Sequence, residues 1–293
     1  MAYKYSETLM NSLENKLIVY DSNCKVCSSL RKVILKLTQI DQHKVVALAK
    51  LDLSLQDKVD TDRFRNGMAL IDTSDGETIY GAEGVAYVFA SQYLLIRMLL
   101  RIPLIFKTFA FLYKVLAYNR YIIAAPKSRF HCDCFPDKVE RYRISYIAIA
   151  VLTAFILTAV FGVSIRRIFG VPAADAAWQM ILTAGTGWVL QILFAILFLR
   201  GGALDYVGHL GSIMVAGLLI LMPSVCLYVM GGTISPYVPA ISVVISSWFM
   251  LHLHLHRVRH LQLSQWWTVS WFLSLQSTAL IWVYVFHIKQ YIS

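Results

Sequence analysis

Two cysteines separated by two residues, Cys24-Lys25-Val26-Cys27, stand where an apolar run (Lys16–Tyr20, KLIVY) gives way through Asp21-Ser22-Asn23 to an amphipathic stretch. That order reads as strand, polar turn and helix, with the first cysteine at the helix start. Unsatisfied N–H groups and the helix dipole favour a thiolate there. Lys25 adds a neighbouring cation, and Ser22 or Asn23 is placed to cap the helix. The pattern points to thiol–disulfide exchange, with Cys24 as nucleophile and Cys27 as resolving thiol. Asp21 is the adjacent titratable group. It could take the Cys27 proton, or serve only as a turn and capping residue.

Three further cysteines are present. Cys132 and Cys134 flank one residue in Phe130-His131-Cys132-Asp133-Cys134. They could relay electrons from the first pair, or bind metal with His131 or together with Cys24 and Cys27. Cys226 lies in an apolar run and reads as a small packing residue.

The elements that must position these groups divide the chain in two. Its 293 residues are 58% hydrophobic with a net charge of +10, and mean hydropathy is +0.59. Only Glu140, Asp175 and Asp205 of the 17 acidic residues lie at or beyond position 140, and all seven tryptophans lie beyond position 177. A soluble domain over 1–135 and a helical membrane domain over 136–293 are expected.

Five apolar segments are each long enough for a hydrocarbon core that needs about 20 residues: Ile144–Ile165, Trp178–Leu199, Tyr206–Met230, Tyr237–Leu255 and Trp266–Phe286. Pro223 predicts a kink in the third. The polar start of the chain does not read as a signal peptide. Lys138, Arg141, Arg143, Arg200, Arg257 and Arg259 outnumber Arg166, Arg167 and Lys289 on the opposite side, which places the N-terminal domain in the cytoplasm and the protein, multi-pass, in the cell (inner) membrane. Basic residues interleaved with apolar runs over 97–143 suit anionic lipid headgroups better than nucleic acid, for which no motif is present.

In the membrane half, His252, His256 and His260 recur at helical spacing, and His209 with Asp205 enters from the same predicted side. Such a stripe could hold a metal, haem or quinone; otherwise it lies at the headgroup interface. Thr183–Gly187 supplies small residues for close helix approach, and Trp266, Trp267 and Trp271 read as an aromatic belt that could also cover the histidines.

In the soluble half, Lys44–Ala49 reads as a second strand and Leu51–Val59 as a short helix or turn. Gly67–Asp72 and Thr78–Gly81 read as a hairpin around Asp75-Gly76. Ala82–Leu100 and Ile105–Tyr118 read as helices. Tyr20-Asp21-x-x-Cys24-x-x-Cys27, Tyr80-Gly81-Ala82, and Tyr113 through Asn119-Arg120 together resemble the DCC family of thiol–disulfide oxidoreductases. The resemblance covers roughly 15–125 and implies an α/β thioredoxin-like fold and a dithiol needing no cofactor, acting on a thiol or disulfide protein. Ser22 departs from it, since the family commonly has glycine; a positive φ there would strain serine. No proline occurs before Pro103, so no cis-proline from 1–102 can face the dithiol. The alternative function is membrane transport or binding of a metal, lipid or small molecule, with the dithiol as redox sensor or metal-delivery site.

Overall fold

The computed structural model describes residues 13–74, 76–125, 135–230 and 235–288. Two compact units divide at Arg143/Ile144.

In the first unit, Lys16–Tyr20 forms β1, Lys25–Leu37 α1 and Val45–Ala47 β2, a right-order start in which β2 pairs parallel to β1. The second strand is shorter than its apolar run, because helical turns occupy 42–44 and 48–50. Ala69–Asp72 (β3) pairs antiparallel with β1, and Thr78–Tyr80 (β4) with β3. The sheet order is β2-β1-β3-β4. Two single helical turns, Leu53–Gln56 and Thr61–Phe64, precede the hairpin.

Both faces of this sheet are covered, which the period-2 alternation of side chains explains. Ile18 and Leu70 face Ile34 of α1 with Tyr87 and Val88. Val19, Ala69 and Ile71 face Leu51, Val59 and Phe64. Complete burial of a side chain such as Ile71 contributes roughly 1.5–3 kcal/mol.

Helices α2 (Ala82–Gln92), α3 (Leu94–Leu100), α4 (Pro103–Tyr118) and the turn α5 (Arg120–Ile123) complete the unit. The expected helix over 82–100 is broken at Tyr93, whose backbone is extended. Pro103 sits at the start of α4, where its missing N–H costs nothing. Gly81 has φ +67° and opens α2, donating its N–H to the Met68 carbonyl at 2.8 Å. A Cβ on neighbouring Gly67 would lie 2.8 Å from the Gly81 Cα, so these two backbones touch.

The second unit is all helix. Five helices are long and apolar enough to cross a membrane, over Glu140–Ile168, Ala173–Phe198, Arg200–Val229, Tyr237–His260 and Trp266–Phe286. They correspond to α6 (Glu140–Phe169), α7 (Ala173–Phe198), α8 (Ala203–Val229), α9 (Tyr237–His260) and α10 (Trp266–Val283). A multi-pass membrane protein follows from their number, length and composition. The helix α8 continues unbroken through Pro223. Its neighbour α7 packs against α10 with Gly187 touching the α10 backbone, as the small-residue pattern suggests, whereas Gly185 meets nothing within 4 Å. Cys226 is exposed on α8, not packed as its apolar surroundings suggested. Leu221, Ser224 and Val225 hold the inward face there, and each further residue turns about 100° around the helix.

Candidate functional site

Cys24 is itself the cap of α1, so neither Ser22 nor Asn23 fills that role. Its Sγ accepts the Cys27 N–H at 3.0 Å, while its backbone remains extended. The turn is shaped by Asp21, whose Oδ1 accepts the Asn23 N–H at 2.9 Å. Ser22 does not have positive φ, so the serine is unstrained. The two cysteines are not joined to each other, with Cys24 wholly buried and Cys27 at 9% exposure.

The charge beside the thiols comes from a distant part of the chain. Lys25 is exposed. Arg120, at the head of α5, is 2% exposed and lies 3.6 Å from Asp21 Oδ2. It also donates to the Arg65 carbonyl at 2.7 Å. The next residue, Tyr121, donates its hydroxyl to Asp21 Oδ2 at 2.8 Å and packs on both cysteines. Phe135 meets the Tyr121 ring edge-on at 4.9 Å.

Asn119 fixes α5 from below. Its side-chain amide donates to the carbonyls of Val115 at 2.7 Å and Tyr142 at 2.9 Å, and its Oδ1 accepts from Arg143 at 2.7 Å. Tyr113 accepts the Met68 N–H at 3.1 Å, and burial pushes its phenol up to about 12. Tyr20 packs against the cysteine cluster beneath Arg31.

These contacts separate the two thiols electrostatically. Cys24 is lowered from its ordinary value, first by the Cys27 thiol hydrogen-bonded to it, then by the Cys27 N–H and the Arg120 charge, against burial and Asp21. Cys27 is raised, by that same hydrogen bond, by burial and by the Cys24 charge. Arg120 is raised; burial opposes its charge, but Cys27 and Cys24 favour it. One thiolate beside one protonated thiol is the arrangement dithiol exchange requires.

Residues 18–125 match the family model described as DCC1-like thiol-disulfide oxidoreductase. This stretch is a DCC1-like domain. No curated protein and no solved structure matches the chain. The DCC1-like domain therefore has the small mixed sheet, surrounding helices and paired cysteines expected of a thioredoxin-like fold, followed by the five apolar helices.

His131, Cys132 and Cys134 lie outside the described residues. Of the histidines of the helical unit, His252, His256 and His260 follow one another at helical spacing along α9. His252 and His256 are exposed on α9, whereas His209 is buried and meets Arg257 at 2.6 Å, its ring 6.0 Å from His260. A second buried histidine is His254, which the helical spacing of the other three did not single out. It meets Tyr206 at 2.9 Å and Thr268 at 3.0 Å and stacks on Trp271 at 4.6 Å. Gln191 donates to Tyr206 at 2.8 Å. Trp271 thus packs inside, while Trp266 is exposed. Among the described residues no group of three or more His, Cys, Asp or Glu is arranged to hold a metal.

Tyr121 was also missed, although it directly follows the Asn119-Arg120 pair. Nothing in its spacing links it to Asp21, one hundred residues earlier.

Proposed function

We propose that this protein is a membrane-anchored thiol–disulfide oxidoreductase whose DCC1-like domain works on the cytoplasmic side of the cell membrane. The observation that carries the reading is the Cys27 N–H directed at the Cys24 sulfur. Backbone donation to sulfur stabilises a thiolate and cannot be replaced by a side-chain substitution.

Reduction of a protein disulfide would proceed in two exchanges. The Cys24 thiolate attacks one sulfur of the substrate disulfide, forming a mixed disulfide and releasing the other sulfur as a thiolate that takes a proton from solvent. Cys27 then gives its proton to solvent, and its thiolate attacks Cys24 Sγ. A Cys24–Cys27 disulfide forms and the second substrate thiol leaves reduced. Run backwards, the same steps oxidise a substrate dithiol. Once the mixed disulfide has formed, Cys24 carries no charge, so two of the causes that hold Cys27 up disappear. Asp21 acts as a positioning residue, holding Arg120 and Tyr121 over the thiols.

The cytoplasmic placement is supported by the basic residues at the ends of the apolar helices. The partner class is a protein thiol or disulfide.

The test uses the full chain in detergent or nanodiscs. Cys27→Ala should accumulate mixed disulfides that dithiothreitol releases, and Cys24→Ser should form none and lose insulin-disulfide reduction. Equal reduction by the wild-type and Cys24→Ser chains would sink the proposal.

A further inference from the structure

In the DCC1-like domain, α3 and α4 present a wide apolar face on the side away from Tyr113 and Val115. Leu94 and Leu95 on α3 are 67% and 69% exposed, and Leu104 at the start of α4 is 74% exposed. Met98, Phe111 and Leu116 extend the same exposed surface across both helices. An exposed apolar patch of this extent marks a docking surface in a soluble domain.

Charge identifies what it fits. Arg101, Lys107 and Lys114 are exposed among these residues, and no aspartate or glutamate occurs from Gly84 to Cys132. The Tyr93 hydroxyl bonds to the Leu37 carbonyl, which brings the end of α1 alongside with exposed Leu37 and Lys36. Helix α1 likewise contains no acidic residue. Arg97 is committed elsewhere, donating to the carbonyls of Ala90 and Ser91 at the end of α2.

We infer that α3 and α4 are a bilayer-docking surface: the leucines and Phe111 enter the headgroup–acyl boundary, and Arg101, Lys107, Lys114 and Lys36 meet anionic headgroups. Long cationic side chains lay their methylenes along apolar surface and keep the charge at headgroup level. The negative potential of a cytoplasmic leaflet attracts each such cation separately. This inference is independent of the dithiol reading, since none of its residues touches the thiols.

The experiment is side-chain footprinting of the full chain in nanodiscs of phosphatidylcholine, with and without phosphatidylglycerol. Met98 and Phe111 are read against Leu53, which is 80% exposed outside this surface. The expected result is that labelling of Met98 and Phe111 falls severalfold when the anionic lipid is added, with Leu53 unchanged. Lys107→Glu with Lys114→Glu should abolish that fall. Equal labelling in the two discs would overturn the inference. So would strong protection that is the same in neutral discs and in detergent, because the face would then be covered by protein, whether the helical unit or a second copy. The two-lipid comparison on the unaltered chain stands even where the charge variant does not fold.

Discussion

A thiol as deeply buried as that of Cys24 would stay protonated if burial acted alone, because removing a thiolate from water is costly. Two hydrogen bonds from Cys27 and the Arg120 charge together outweigh that cost and the opposition of Asp21. Hydrogen bonds to a charged acceptor contribute about 1.5–3 kcal/mol each, so two of them decide the balance. Arg120 is the cause open to substitution. Arg120→Gln should move the pH profile of Cys24 alkylation upward, since removing an opposite charge favours the protonated thiol, and should lower the rate at pH 7 by roughly tenfold. An unshifted profile would mean that the Cys27 donors suffice. Asp21→Asn should move the profile downward through its own lost charge, provided Arg120 stays in place.

Among the elements, β1 and β3 are joined by more than their backbone ladder. Lys16 and Asp72 are directly opposite in register and form an ion pair in which both side chains are about nine-tenths buried. Lys16, followed by Ser74, holds the Asp72 carboxyl well below the usual carboxylate range. A depressed carboxylate pKa stabilises the fold above the unfolded-state value of about 3.9, and that contribution is lost as pH falls further. Asp72→Asn should therefore destabilise the domain at pH 7 and flatten its loss of stability between roughly pH 4 and 2. Circular dichroism during acid titration reads both effects. The division of α2 from α3 has a similarly non-local cause. Neither glycine nor proline marks Tyr93, and the residues on both sides keep a helical pattern. The Tyr93 hydroxyl is taken by the Leu37 carbonyl, 56 residues away, a contact from outside the local sequence, while nearby Arg97 takes the end carbonyls of α2.

The whole molecule joins a mixed α/β unit to a unit of five apolar helices. Its orientation in the membrane can be read with one engineered thiol, because Leu53 is far exposed and contributes to neither core. With the proposed cytoplasmic domain, Leu53→Cys in a chain whose Cys132, Cys134 and Cys226 are replaced by serine should react with a membrane-impermeant maleimide in inverted vesicles and stay unlabelled in right-side-out ones. The reverse pattern would overturn the cytoplasmic placement. Within the helical unit, the buried groups Gln191, Tyr206, His254 and Thr268 lie toward one end of their helices and are linked one to the next by hydrogen bonds. Replacing one of them would strand its neighbour without a partner in a low-dielectric interior.

The five apolar runs, the sheet strands and the Cys24/Cys27 pair were legible in the sequence because each rests on local information: length, alternation and spacing. What a cation does at the dithiol was not legible. Lys25 is the neighbour along the chain but faces solvent, while Arg120 reaches Asp21 through the fold. The same holds for the histidines: period 3.6 aligned His252, His256 and His260, but helix packing selected His254 and His209 for burial. Spacing along one helix specifies a shared face without specifying which face meets a neighbour. The Cys24–Cys27 dithiol, its turn and its apolar anchor were thus set by sequence alone. Its electrostatic partner and the buried polar cluster were decided by tertiary structure, which brings side chains together across any chain separation.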